Sequence, residues 1–228
     1  MLACQSREFS SGAACLTLHS SGRKTIAAMS APRRFARRAL RSTFSGDTMS
    51  DRSSAPAARA ALDADDARRQ FRQAMAHLGA AVNVVTTAGP HGRCGITASA
   101  VCSVTDAPPT LLVCVNRSSA MHAAFLRNRN VCVNVLPSEH ELLARHFAGF
   151  TGLPMDARFN LPLWDEGAHG VPVLRDALAS LQGTIVESKE VGSHAVMFVQ
   201  AHAIRVRGDG DGLVYFGRAF HRIARPAA

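Results

Sequence analysis

Hydroxyl side chains recur at alternate positions in the run Gly95-Ile96-Thr97-Ala98-Ser99-Ala100-Val101-Cys102-Ser103-Val104-Thr105, which Ala107-Pro108-Pro109 closes. Read with a period of two, Thr97, Ser99, Ser103 and Thr105 share one face, with Val101 the interruption. Ile96, Ala98, Ala100, Cys102 and Val104 share the other, as in a strand packed on a core. The hydroxyl face carries little bulk, so a flat ligand can come close to the backbone. It also offers O–H and N–H donors to a phosphate or a polar ring edge. The pattern suits a cradle for a phosphorylated planar cofactor, and equally a solvated sheet face. The prolines are expected to end the strand, because neither can donate to a ladder.

Other chemistry is poorly supported. His140 and His146, with Glu139 and Glu141 nearby, do not make a metal site, because an i, i+6 spacing puts the imidazoles on different helical faces. His91 with Cys94 is no better. Ser99 and Ser103 lack a nucleophile elbow, which argues against a hydrolase. No G-x-G-x-x-G follows a strand-like run, so a Rossmann nucleotide site is not indicated.

The elements that must position these residues are mostly strands. Asp65 to Leu78 reads as a helix with Asp65 or Asp66 at its start, a Phe71, Met75, Leu78 stripe, and Gly79 as its stop. Ala81–Thr87 reads as a strand and Gly89-Pro90-His91-Gly92 as a turn. Thr110–Asn116 is an apolar run expected to be covered on both faces. Ser118 or Ser119 is placed to cap a short helix that reaches Asn128 and buries Met121, Phe125 and Leu126. Val131–Leu136 is a further strand, and Ser138-Glu139-His140-Glu141 matches a capping box for a helix to Phe147. Residues 149–170 read as loop-rich. Leu178–Ser188 and His194–Arg207 pair around Val191-Gly192-Ser193, and Gly212–Phe216 is the last strand. Six or seven mostly antiparallel strands with three short helices imply a mainly β fold, a closed or split barrel.

Composition narrows the class. Of the net charge of +9, residues 1–60 hold ten Lys/Arg against three Asp/Glu, and the remaining 168 hold sixteen against fourteen. The basic charge therefore sits in the first segment, and a nucleic-acid-binding face on the core is not expected. Residues 1–62 are rich in Ser, Ala and Arg and are expected to be a disordered extension. Arg33, Arg34, Arg37, Arg38 and Arg41 give it a superficial likeness to a transit peptide, and Met49 is an alternative start. Residues 63–228 form the domain. Of the six cysteines, none stands in a C-x-x-C pair, and Cys102, Cys114 and Cys132 lie in apolar runs as small hydrophobes. A reduced, cytoplasmic protein follows, with no apolar run near the roughly 20 residues that span a bilayer.

Phe71-Arg72-Gln73-Ala74-Met75, Gly79 to Thr87, the Gly95-to-Pro109 run, Leu111–Asn116, Cys132-Val133-Asn134 and Gly192-Ser193-His194 together resemble, in order, the flavin reductase family. The likeness spans residues 65–225. It is strongest to the reductase of uracil (pyrimidine) utilisation, and also extends to the 4-hydroxyphenylacetate monooxygenase reductase component. The resemblance implies an FMN-binding split β-barrel, antiparallel and Greek-key-like. It also implies a homodimer that reduces FMN with NADH and delivers it to a separate flavin-dependent monooxygenase, with no membrane partner.

By the same resemblance, Thr97, Ala98, Ser99, Ala100, Cys102, Ser103 and Val104 hold the flavin. Asn116, Arg117, Ser118 and Ser119 meet its ribityl and phosphate groups, and Phe150 and Thr151 close over the phosphate end. His194 lies near the nicotinamide; the plainer reading is an exposed edge-strand histidine. Arg158 is either a fork donor to the phosphate or a surface arginine. Asn116 serves the cofactor or caps the next helix, and Asn83 and Asn134 are structural. A site of small residues without a triad suits hydride transfer between stacked rings, because the cofactors carry that chemistry. The alternatives are a reductase for an aromatic-ring hydroxylase and a non-catalytic flavin-binding electron carrier.

Overall fold

The computed structural model describes residues 63–226, so the expected N-terminal extension and the Met49 start lie outside the described residues. The described helices are α1 (Ala64–Ala76), α2 (His122–Asn128), α3 (Glu141–Phe147) and α4 (Met155–Phe159). The strands are β1 (Ala80–Ala81), β2 (Asn83–Thr87), β3 (Cys94–Ala98), β4 (Val101–Asp106), β5 (Pro109–Asn116), β6 (Asn130–Val135), β7 (Trp164–Glu166), β8 (Pro172–Leu174), β9 (Ala179–Val191), β10 (His194–Val206), β11 (Gly212–Phe216) and β12 (Ala219–Ile223).

Seven strands form one sheet in the order β3-β2-β6-β9-β10-β5-β4, all neighbours antiparallel. Its two edge strands are consecutive in the chain, joined only by Ser99 and Ala100. Laid flat, six spacings of about 4.8 Å would part the edges by roughly 29 Å, whereas so short a link spans only about 10 Å. The sheet must therefore roll into a barrel with its split at Ser99–Ala100. The interior holds Val85, Ile96, Ala98, Val113, Val115, Val133, Met197 and Val199, with Phe125 of α2 among them. A second cluster outside β2 joins Val82, Val84, Leu136, Leu143, Phe147, Phe159 and Leu174, which is why all five residues of β2 are buried. β11 and β12 form a small sheet with β1, and β7 pairs with β8.

Buried amides knit the barrel. Asn83 Nδ2 donates to the carbonyls of Ala81 and Ala98 at 3.0 and 3.1 Å. Asn134 Nδ2 donates to Val84 O at 3.0 Å, and its Oδ1 accepts from Leu174 N at 2.8 Å. Both asparagines are structural, as expected from the sequence.

Several expectations need correction. The Gly95–Thr105 run is two strands, not one. In β3, Gly95 and Thr97 face α3: Thr97 Oγ1 donates to Ala144 O at 2.7 Å, and a Cβ on Gly95 would lie 2.8 Å from Phe147 Cε1. In β4, Val101 packs on the core while Cys102 and Val104 are exposed, the reverse of the expected faces, because the bend resets the alternation. β4 ends at Asp106, just before the prolines, as expected, and Pro109 begins β5; β5 alternates buried with half-buried residues instead of being covered on both sides.

Helix starts also differ. Asp63 caps α1, and Asp65 and Asp66 make its first turn acidic, as expected; none of the α1 side chains is buried, and Phe71 and Leu78 are 57% and 63% exposed. Met121 precedes α2 without a side-chain cap, and Ser119 Oγ accepts only from Met121 N at 3.4 Å. The capping box does not form: residues 138–140 make a 3-10 turn without a side-chain cap, and Glu141, the glutamate of the box, pairs with Arg145 at 2.7 Å. Residues 149–170 contain α4 and β7, and β12 adds a strand after the expected last one.

Candidate functional site

Strand pairing brings the two ends of the expected site together. Val101 stands opposite Val113, and Cys114 N donates to Ala100 O at 3.0 Å. On the other side of β5, Cys114 pairs with Val196 and Asn116 with His194. Paired residues point to the same face of a sheet, and Val113, Val115, Ala195 and Met197 point inward. Ala100, Cys114 and Val196 thus make one outward row, with Asn116 and His194 beside it and Cys102, Leu112 and Phe198 on its other flank. β4, β5 and β10 are neighbours, so the bend lies about two strand spacings, roughly 10 Å, from His194.

This outer face is shallow and donor-rich. β4 is an edge strand, and its free side offers unpaired backbone N–H and C=O groups to whatever lies along it. Ala98, Ser99 and Ala100 bring no bulk to the bend, and Ser103 is exposed. A planar ring system fits these residues. Thr97 contributes differently from expectation, because its hydroxyl is committed to α3.

The turn after β5 is fixed by its own bonds. Asn116 Oδ1 accepts from Ser118 N at 3.0 Å and from Ser118 Oγ at 2.9 Å, an Asx turn of the kind that holds a tight loop. Arg117 N donates to Ser193 O at 2.9 Å, and its guanidinium meets Gly192 O at 3.2 Å and Glu190 at 2.9 Å. Ser119 is buried. The loop is therefore stapled to the β9–β10 hairpin at the residue before His194.

His194 opens a strand that is central, not an edge, and its ring is half-buried. Nδ1 lies 2.9 Å from Ser193 Oγ, a contact that orients the ring, and Nε2 is left without a protein partner among the described residues. His194 and Asn116 line a cleft of about 940 Å³ between α1 and the outer face of β5 and β10. Arg72, Tyr215 and Arg218 also line it; Arg72 belongs to a run that carries the family resemblance, but no sequence signal gives any of the three a place in a site, because their convergence depends on the small sheet folding back beside α1.

Phe150 and Thr151 lie on the segment that follows α3, and Arg158 lies in α4. Phe150 and Thr151 are exposed after α3, where Thr151 Oγ1 lies 2.7 Å from His146 Nδ1. Arg158 Nε donates to Leu153 O at 2.8 Å, and its guanidinium lies over the Phe147 ring. Among the described residues no cluster of three or more His, Cys, Asp or Glu could hold a metal, and no helix is long and apolar enough to cross a membrane.

Comparison with known proteins agrees with this architecture. A profile of the flavin reductase like domain matches residues 75–224. The 4-hydroxyphenylacetate 3-monooxygenase reductase component of Pseudomonas aeruginosa is 58% identical over 159 residues, 70% of this chain and 94% of that protein. The FMN reductase (NADH) RutF of Variovorax paradoxus is 51% identical over 159 residues, 70% of this chain and 87% of that one. The Streptomyces globisporus NADH:FAD oxidoreductase SgcE6, solved with NAD and FAD fragments, superposes with a TM-score of 0.65 at 29% identity, covering 74% of this chain and 99% of its own.

Proposed function

The chain belongs to the flavin reductase like family, and from that premise we propose that it is an NADH-dependent FMN reductase passing reduced flavin to a separate flavin-dependent monooxygenase. The single observation that carries this reading is the outward row Ala100–Cys114–Val196 with Asn116 and His194 beside it. It offers a flat shelf for one ring and an oriented imidazole about two strand spacings away for the other.

FMN, when bound, supplies the hydride acceptor and NADH the donor. The residues hold and orient. The backbone of Ala98, Ser99 and Ala100 with the edge of β4, including Cys102, Ser103 and Val104, borders the flavin ring, and Thr97 supports the bend from behind through its bond to α3. The Asn116–Ser119 turn takes the ribityl and phosphate groups, its donors fixed by the Asx turn and by Arg117. Phe150, Thr151 and Arg158 are a second, outer contact for the phosphate end. His194, oriented by Ser193, positions the nicotinamide carboxamide through Nε2 and excludes water from one side of the ring. No residue needs to act as an acid or base on carbon.

Exposed apolar side chains on the far half of β10, Ile204 at 54% and Val206 at 72%, support a homodimer that covers them. The mixed charge of the domain fits a cytoplasmic protein. Two partner oxygenases suit the reading. The sequence run resembles the uracil-utilisation reductases, whereas the higher identity of the 4-hydroxyphenylacetate reductase component, 58% against 51%, favours an aromatic-ring hydroxylase. Transcript levels after growth on uracil or on 4-hydroxyphenylacetate separate the two.

The enzymatic test is direct. Full-length protein with FMN and NADH consumes NADH, followed by its absorbance, well above a protein-free control; a rate equal to the control contradicts the proposal. His194→Ala raises the KM for NADH about tenfold, a loss of roughly 1.4 kcal/mol, with little effect on that for FMN. Equal effects on both reject the nicotinamide role.

A further inference from the structure

We propose that the cleft between α1 and the β11–β12 turn receives the adenosine-diphosphate end of the reduced nicotinamide dinucleotide, with Arg72 and Arg218 meeting its phosphates. This inference rests on the reading that places the nicotinamide at His194, because it asks where the remainder of such a substrate runs.

The cleft supplies size, continuity and charge. Its volume of about 940 Å³ lies at the upper end of the usual range for small-molecule sites, more than the nicotinamide alone requires. His194 stands on its β10 wall, so a ligand anchored there extends into it without crossing a ridge. Arg68, Arg69, Arg72 and Arg218 line it, and no Asp or Glu does. Arg68 and Arg69 are paired along the helix with Asp65 and Asp66. Arg72 and Arg218 have no carboxylate within ion-pairing distance among the described residues. Two guanidiniums without a carboxylate partner, on elements remote in sequence, leave the lining of the cleft positively charged, which favours an anion there. Guanidinium forks match phosphate oxygens in geometry, and Met75 and Tyr215 give the same cleft apolar surface for a base.

The backbone adds an independent argument. Arg218 has φ of +68°, directly after Gly217 at +57°, the left-handed pair that a two-residue hairpin turn demands. Glycine or asparagine suits the second position, and an arginine there is disfavoured by the clash of its Cβ with the backbone. The hairpin keeps this unfavourable residue where its long side chain reaches the cleft.

The test uses ADP-ribose, which has both phosphates and the adenosine but no nicotinamide, titrated into the full-length protein by calorimetry. Wild type is expected to bind it, more weakly as salt is raised. Arg72→Ala and Arg218→Asn should each weaken binding about tenfold, the value of one charge-assisted contact. Asparagine tolerates the left-handed turn, so Arg218→Asn remains folded, and circular dichroism checks both variants. In steady state, the KM for NADH should rise about tenfold more than the KM for reduced nicotinamide mononucleotide, which lacks the adenylate. Absence of ADP-ribose binding by wild type, unchanged binding by both folded variants, or equal rises in the two KM values each overturns the proposal. The titration needs no turnover, so a failure here is distinguishable from a failure of the reductase reading, which appears as wild type that does not oxidise NADH.

Discussion

β3 and β4 are consecutive in the chain and similar in composition, yet they occupy opposite environments. β3 is buried at all five positions, with the barrel core on one side and α3 on the other. β4 is exposed from Cys102 to Asp106 and has a neighbour on one edge only. The bend at Ser99–Ala100 creates the difference, because it carries the chain from one edge of the rolled sheet to the other. A run of small and hydroxyl residues thereby does two jobs. Its first half secures a helix to the barrel, and its second leaves backbone groups free for a ligand.

Substitutions test that contrast in descending size. Ile96→Ala, in the core of β3, should destabilise the protein by about 2–5 kcal/mol in denaturant unfolding. Val104→Ala, at a position 48% exposed, should change stability by less than about 0.5 kcal/mol. Similar values for the two would remove the distinction between the strands. Thr97→Val is expected to cost about 1 kcal/mol, because it removes the bond from Thr97 Oγ1 to the Ala144 carbonyl, which keeps Ala148 N as its other donor, while Thr97→Ser retains most of the stability. Were FMN affinity, not stability, the property lost in Thr97→Val, its hydroxyl would belong to the ligand and not to α3.

Much of the fold was legible because period-two patterning survives wherever a strand has one dry face. The β9–β10 hairpin was read from alternation and from Val191-Gly192-Ser193, and β2 and β6 from their valine-rich runs. The break at Ser99 was not legible, since neither Gly nor Pro marks it and the alternation runs on through it in sequence. Cys102 was read as buried for the same reason. The capping box at Ser138 does not form because its glutamate, Glu141, is held by Arg145 one turn along α3, an i, i+4 contact that competes with the reach back to Ser138. In the candidate site, the resemblance names His194 and the Asn116–Ser119 turn together, and the structure pairs Asn116 with His194 across β5 and β10. The arginine-lined cleft was not, because α1 meets the β11–β12 turn through tertiary contacts such as the Gly217 N to Ala76 O bond at 2.7 Å.

Two cysteines give the contrast between the strands its most direct measurement, and with it the central claim that the flavin lies on the outer edge of β4. Burial pushes the Cys94 thiol in β3 up to about 11, so below pH about 10 it is almost wholly protonated, and only the thiolate reacts with an alkylating agent. Cys102 in β4 is exposed. Iodoacetamide labelling at pH 8, read peptide by peptide by mass spectrometry, should modify Cys102 while Cys94 stays unmodified, and saturating FMN should slow the reaction at Cys102 several-fold. Labelling of Cys102 at the same rate with and without FMN, under conditions where FMN binding is independently measured, would contradict the account.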